Sequence, residues 1–329
     1  MNTAGPRRPR RAARRLAPRR ASVNFAPRTR TAPIAAVAAV TTAAALTLAA
    51  CAAAPRPPER RAPTLGGWTL AWHDEFDGPA GARPDSARWV ADTGGHGWGN
   101  RELQRYTTSP ANAALDGRGH LVLTATTLAG DSAGRCWYGP CRYASARLTT
   151  RGRFAQAYGR FEARLRLPRG QGIWPAFWML GADFPSVGWP ASGEIDVVEN
   201  VGSAPAVVHG TLHGPGHAGA RGLTATDTLA SGAWADDFHV WAVEWEPGAI
   251  RWLVDGRVFA RRTPADLPAG ARWVYDHPFF LLLNLAVGGD WPGSPDATTV
   301  LPQQLVVDHV RVWRRSGAPP AGAAGGAQR

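Results

Sequence analysis

The chain has 329 residues, and Gly and Pro together make up 66 of them, which argues against long helical bundles and coiled coils and favours many short strands joined by turns. Its formal charge of +12 points at first to a polyanion, but residues 1–62 hold 13 Arg against one acid, Glu59, while the remainder carries 24 Arg and 24 Asp or Glu. Beyond that leader the charge is balanced, so electrostatic capture of nucleic acid has no basis there, and the length suits one large β domain and falls short of two.

Ten Arg lie between Arg7 and Arg30, followed by an uncharged, Ala-rich stretch from Pro33 to Ala50 that ends Leu48-Ala49-Ala50-Cys51. A basic region, an apolar region and small residues at the end predict an export signal over residues 1–50. Cys directly after Leu-Ala-Ala resembles the bacterial lipoprotein box, in which Cys51 becomes the acylated first residue of an exported, membrane-anchored protein on the cell surface or periplasmic face. The alternative is an uncleaved membrane helix; at about 1.5 Å per residue this stretch only just reaches across a bilayer core. Residues 51–66, with Pro55, Pro57, Pro58 and Pro63, read as a semi-rigid tether from Cys51. One domain is expected over 67–315, followed by a disordered Gly/Ala tail over 316–329. Cys136 and Cys141, in Cys-Trp-Tyr-Gly-Pro-Cys, are the only cysteines of that domain. In an exported protein two Cys around a Gly-Pro turn predict a disulfide, with free thiols or half of a metal site as alternatives; no further Cys completes a zinc set.

Alternation at period two predicts strands over Phe161–Leu167, Ile250–Val254 and Val310–Trp313, and Asp255-Gly256 between apolar runs predicts a hairpin. Phe279 to Val287 is apolar on both parities apart from Asn284, the pattern of a strand buried on both faces. No long window shows helical periodicity, so an all-β antiparallel sandwich is expected.

Chemistry concentrates in Ser192-Gly-Glu194-Ile-Asp196-Val-Val-Glu199-Asn200. On a plain strand Glu194 and Asp196 share a face, while Glu199 joins Ile195 and Val197 on the other. A single-residue bulge between Asp196 and Glu199 returns Glu199 to the face of the first two acids. Crowded carboxyls separate an acid from an anion near neutral pH, and a pair about 5–5.5 Å apart suits retaining glycoside hydrolysis. A charged edge strand is the bland reading. The aromatic run Gly172-Ile-Trp174-Pro-Ala-Phe-Trp178-Met-Leu180 weighs against it, because Trp174 and Trp178 share a strand face and flat aromatic faces stack on sugar rings without needing charge. Trp241, Trp252 and Trp313 read as core. His209 and His213, about 13 Å apart along a strand, are too far apart for one metal ion; His213 suits a sugar hydroxyl and His209 a structural role.

These motifs resemble the family-16 glycoside hydrolases, in the bulged form of the endo-β-1,3-glucanases (laminarinases). The resemblance covers essentially all of 67–315. It extends through Trp72-His-Asp-Glu75-Phe-Asp77, Gly97-Trp-Gly-Asn100-Arg-Glu102-Leu-Gln-Arg-Tyr106, Gly210-Thr-Leu-His213-Gly-Pro-Gly, Asn284-Leu-Ala-Val-Gly-Gly-Asp-Trp291-Pro-Gly and Val307-Asp308-His-Val-Arg-Val-Trp313. It implies a jelly-roll (concanavalin-like) sandwich of two antiparallel sheets, a concave cleft for β-glucan, and a monomer that needs no cofactor for catalysis. It implies Glu194 as nucleophile, Glu199 as acid and then base, and Asp196 as hydrogen-bond partner of Glu194. Asn100, Arg147, Trp174, Trp178, His213 and Trp291 correspond to sugar contacts, with Asn284 either a contact or an amide satisfying its strand. A structural calcium would take Asp308 and the Gly119 carbonyl. Asp290 and His217 depart from the family pattern, in loops expected to shape the cleft and substrate choice. Against a same-fold enzyme acting on mixed-linkage glucan or galactan, or a non-catalytic glucan-recognition protein, the presence of all three acids favours a hydrolase.

Overall fold

A computed structural model describes residues 64–129 and 134–317. The leader, Cys51, the tether up to residue 63 and the tail from 318 lie outside the described residues.

Strands dominate because apolar residues recur at alternate positions and Gly or Pro interrupts them every few residues. Among the described residues they form a ten-stranded and a seven-stranded sheet, with one small hairpin besides. The seven-stranded sheet runs, in spatial order, Ala225–Thr228, Val207–His213, Glu194–Glu199, Ile173–Gly181, Phe279–Val287, Arg147–Thr149 and Val90–Asp92. The larger sheet centres on Gln303–Arg315, Gly159–Arg166, His239–Glu246 and Ala249–Val254. Pairing is antiparallel throughout both sheets except where Gln104–Tyr106 runs parallel to Tyr143–Ser145. This is the expected all-β jelly-roll sandwich.

The core lies between the sheets. Phe177, Met179, Ile195, Val197, Val198, Leu212, Leu283 and Leu285 from one sheet meet Phe161, Leu165, Trp241, Trp245, Trp252, Val307 and Val312 from the other, all buried. Trp241, Trp252 and Trp313 are core residues, as their pattern suggested. Phe279–Val287 is buried at all nine positions, since Phe280 and Leu282 on its outer side are covered by Leu180, Trp178 and Phe184. The Asp255-Gly256 hairpin forms with both residues at positive φ, 49° and 80°, the type I′ geometry whose twist matches that of its flanking strands. Cys136 and Cys141 are joined as a disulfide, with Cα atoms 5.0 Å apart.

Candidate active site

The decisive local feature is the strand Glu194–Glu199. Its pairing with Val207–His213 matches Glu194 to His213 and Asp196 to Thr211, then skips a residue and matches Glu199 to His209. Toward Ile173–Gly181 the shift falls between Phe177, paired with Val198, and Trp178, paired with Asp196. This is the expected bulge. Val197 and Val198, consecutive in the chain, both enter the core, because no other arrangement buries two adjacent valines and keeps Glu199 out of the apolar layer. Glu194, Asp196 and Glu199 therefore face one cleft on the outer side of the seven-stranded sheet.

The bulge leaves the Asp196 carbonyl out of step with the ladder, and it is satisfied from the opposite sheet: the Trp252 indole N–H donates to Asp196 O at 2.7 Å. Gly210 makes this approach possible. It sits across from the bulged residues, where a Cβ would lie 2.3 Å from Trp252 Cδ1. Trp252 is thus a core residue that also fixes the backbone of the acid cluster, a role with no local sequence signal.

The cleft encloses about 590 Å³ and is lined by all three acids, Trp98, Asn100, Glu102, Arg147, Trp174, Trp178, Trp189 and Asn284, among others. Burial pushes the Glu194 carboxyl up to about 8, reinforced by the charge of Asp196 and opposed by His213 and Arg147. Glu199 is raised to about 8 by burial and by Asp196, against the pull of His213 and of the Trp174 N–H, which donates to Glu199 Oε1 at 3.0 Å. Burial likewise raises Asp196. The cluster therefore retains protons at neutral pH, as acid–base chemistry requires. His213 is an integral part of it: Nε2 lies 3.2 Å from Asp196 Oδ2 and 3.6 Å from Glu194 Oε1. Asp196 Oδ2 makes no hydrogen bond in this arrangement and is faced by the His213 ring. Glu194, Asp196 and His213 each place a donor atom within 4.8 Å of the others; we read the trio as an acid cluster balanced by an imidazole.

The expected sugar contacts gather around these acids. The Arg147 guanidinium lies between two indoles, 4.7 Å from the Trp98 centroid and 4.8 Å from that of Trp178, and donates to Asp92 Oδ2 at 3.1 Å. Trp178 donates to Asn284 Oδ1 at 2.7 Å, and Asn284 Nδ2 donates to the Tyr106 hydroxyl at 3.2 Å. Asn284 thus orients Trp178 besides completing its strand. Tyr106 donates in turn to the buried carboxyl of Glu102, which also accepts from Asn100 Nδ2 and Gln104 Nε2. Glu102 therefore holds Asn100 directly and Trp178 through two intermediaries. Glu102 and Tyr106 lie in the motif that carries the family resemblance, yet only the fold joins them to Trp178. Trp291 stands edge-on to Trp174 at 5.4 Å and half exposed at the rim, propped by His209 at 5.2 Å. Half-exposed Trp189 packs over His213 on the other side, a position no motif indicated.

Of the two departures, Asp290 forms an ion pair with Arg101 that ties the rim loop of Trp291 to the loop of Asn100. His217 does not shape the cleft: it is fully buried, with Nε2 2.8 Å from the Tyr275 hydroxyl. Asp308 lies in the larger sheet, its Oδ2 3.2 Å from Arg164 Nη1, and the register Val307 to Leu121 brings Gly119 to the same end of that sheet.

A jelly-roll cleft with three raised carboxyls on one strand and indoles on either side is that of a glycoside hydrolase. The chain belongs to the glycosyl hydrolases family 16, whose family model matches residues 102–308. Among curated relatives it is 44% identical over 257 residues to a beta-glucanase of Rhodothermus marinus, covering 75% of this chain and 85% of that protein. Among solved structures it resembles the endo-beta-1,3-glucanase of Pyrococcus furiosus, with TM-score 0.70, 43% identity and coverage of 75% of this chain and 94% of the other. It also resembles the laminarinase catalytic domain of Thermotoga maritima MSB8, with TM-score 0.69, 41% identity and 75% and 98% coverage.

Proposed function

We propose that this protein is an endo-acting, retaining β-1,3-glucanase that cuts laminarin-like glucans by double displacement. The observation that carries the reading is the bulge that brings Glu199 onto the face of Glu194 and Asp196; likeness to laminarinases above 40% identity supports the linkage. A Glu194 carboxylate oxygen attacks the anomeric carbon and forms a glycosyl ester while Glu199 gives its proton to the departing glycosidic oxygen. Glu199, now the base, takes a proton from water; the water oxygen bonds to the same carbon and Glu194 leaves as carboxylate. His213 and Arg147 favour the anion on Glu194, against its burial and the charge of Asp196. The purified protein incubated with laminarin, lichenan, agarose and carrageenan should shorten laminarin first, to mixed oligosaccharides when products are sized. Preferential cleavage of lichenan or of a galactan would reassign the substrate.

Calcium plays no part in these steps. The oxygen donors of Asp308 and the Gly119 carbonyl suit such an ion, and it would brace the larger sheet when bound.

The leader and Cys51 support a second element of the reading, a bacterial lipoprotein held at a membrane by acylated Cys51. Cys51→Ala should abolish partition of the full chain into detergent or membranes; retained partition would mean that the apolar stretch before Cys51 serves as a helical anchor.

A further inference from the structure

The disulfide hairpin, Arg135–Cys136 paired with Gly139–Pro140, takes no part in the chemistry above, yet it is built onto the wall of the cleft. Trp137 at its tip donates from its backbone N–H to Gly95 O at 2.8 Å and from its indole N–H to Glu102 O at 2.8 Å. Tyr138 donates its hydroxyl to Leu103 O at 2.6 Å and meets the Trp137 ring at 87°. The receiving loop is shaped for this contact: a Cβ at Gly95 would stand 2.4 Å from Cys136 Sγ. The same loop supplies His96, Trp98, Asn100 and Glu102 to the cleft, so the hairpin packs on the segment that forms its wall.

With its polar edge satisfied and its ring pinned, Trp137 is nevertheless 49% exposed. A large indole held rigid with its surface in water, when its N–H needs no solvent, is the arrangement of a recognition surface. From the acids the sheet crosses Ile173–Gly181, Phe279–Val287 and Arg147–Thr149 to Val90–Asp92, four strand spacings or roughly 19 Å. The loop bearing Trp98 and Asn100 lines the cleft, and Trp137 packs against that loop, where a Cβ at Gly97 would stand 3.1 Å from Trp137 Cδ1. Arg147 along this path is already paired with Asp92, so the approach selects a neutral ligand.

We infer that Trp137 is a distal sugar-binding platform, which stacks on a glucosyl unit of the bound chain beyond the cleft and is held in place by the Cys136–Cys141 disulfide. This rests on the β-glucanase reading and extends it: the enzyme grips long chains more tightly than the cleft alone allows.

The test compares wild type, Trp137→Ala, Trp137→Phe and the Cys136→Ser/Cys141→Ser double variant in the full chain. Each is titrated calorimetrically with β-1,3-glucan oligosaccharides of two to eight units, and KM and kcat are measured on laminarin. Trp137→Ala should weaken binding of the longest oligosaccharides about three- to tenfold and raise KM on laminarin in proportion, with a much smaller effect on the disaccharide and on kcat. Trp137→Phe, which keeps a flat ring and loses the indole N–H, should restore most of the difference, and the double serine variant should resemble Trp137→Ala. A loss equal at every chain length would mean that the hairpin merely braces the wall, and no loss at any length would mean that the indole meets no sugar; either overturns the platform while leaving the glucanase reading intact. A wild-type protein that neither binds nor cleaves the series overturns both.

Discussion

Replacing Glu194 with Gln should lower turnover of laminarin by at least about four orders of magnitude, because the amide cannot form the glycosyl ester and no neighbouring group takes its place. Binding should persist, since Trp178, Arg147 and Asn100 remain. The same substitution should stabilise the fold at alkaline pH. The native Glu194 carboxyl is raised from 4.5 to about 8, so the folded state binds more protons than the unfolded chain across that window. Its contribution to stability is therefore full below about pH 4.5 and is lost as pH rises toward 8, and Gln removes that loss. Turnover and melting temperature measured together at pH 8 separate a dead but better-folded enzyme from an unfolded one. A 2-fluoro glycoside should label Glu194 in the wild type, and the first product seen by proton NMR should be the β-anomer. Unchanged turnover, or an initial α-anomer, would reject the nucleophile and the retaining geometry respectively.

Glu199→Gln is expected to slow hydrolysis of laminarin about 10²- to 10⁴-fold, the contribution of a positioned acid and base. The first step needs Glu194 ionised and Glu199 protonated, and both are raised to about 8, so wild-type activity should pass through a maximum near that pH and fall on its alkaline side as the proton for the leaving oxygen is lost. The variant has no such proton and should lack that alkaline limb. With an aryl glycoside, whose leaving group departs without protonation, the first step should recover, and added azide should replace water in the second and give a glycosyl azide of retained β configuration. If the alkaline limb survives in the variant, another group supplies the acid, and Asp196 is then the one to test.

Much of this site was legible along the chain because period-two patterning speaks directly to burial. Glu199 cannot share a layer with Ile195 and Val197, so the six residues Glu194–Glu199 by themselves require a bulge. Trp174 and Trp178 announced a shared face in the same way, and the Phe279–Val287 run announced a strand covered on both sides. His217 shows the limit: a loop position beside a glycine-rich turn gave no indication that the ring would be buried against Tyr275.

What the residues alone determined was the strand content, the kink, and which side chains shared the face of the acids. These depend on the alternation of a single strand, a property of consecutive positions. Tertiary structure alone decided how that face was held and charged. Trp252, from the opposite sheet, reaches through the gap at Gly210 to the Asp196 carbonyl, a buried acceptor that would cost about 1–3 kcal/mol if left unmet. Glu102 reaches Trp178 through Tyr106 and Asn284, by links that span 178 and 106 residues of sequence. His213 finds Asp196 only because the two strands pair in that register. Hydrogen bonds and desolvation depend on distances between segments remote in sequence, and only the packed sandwich sets those distances.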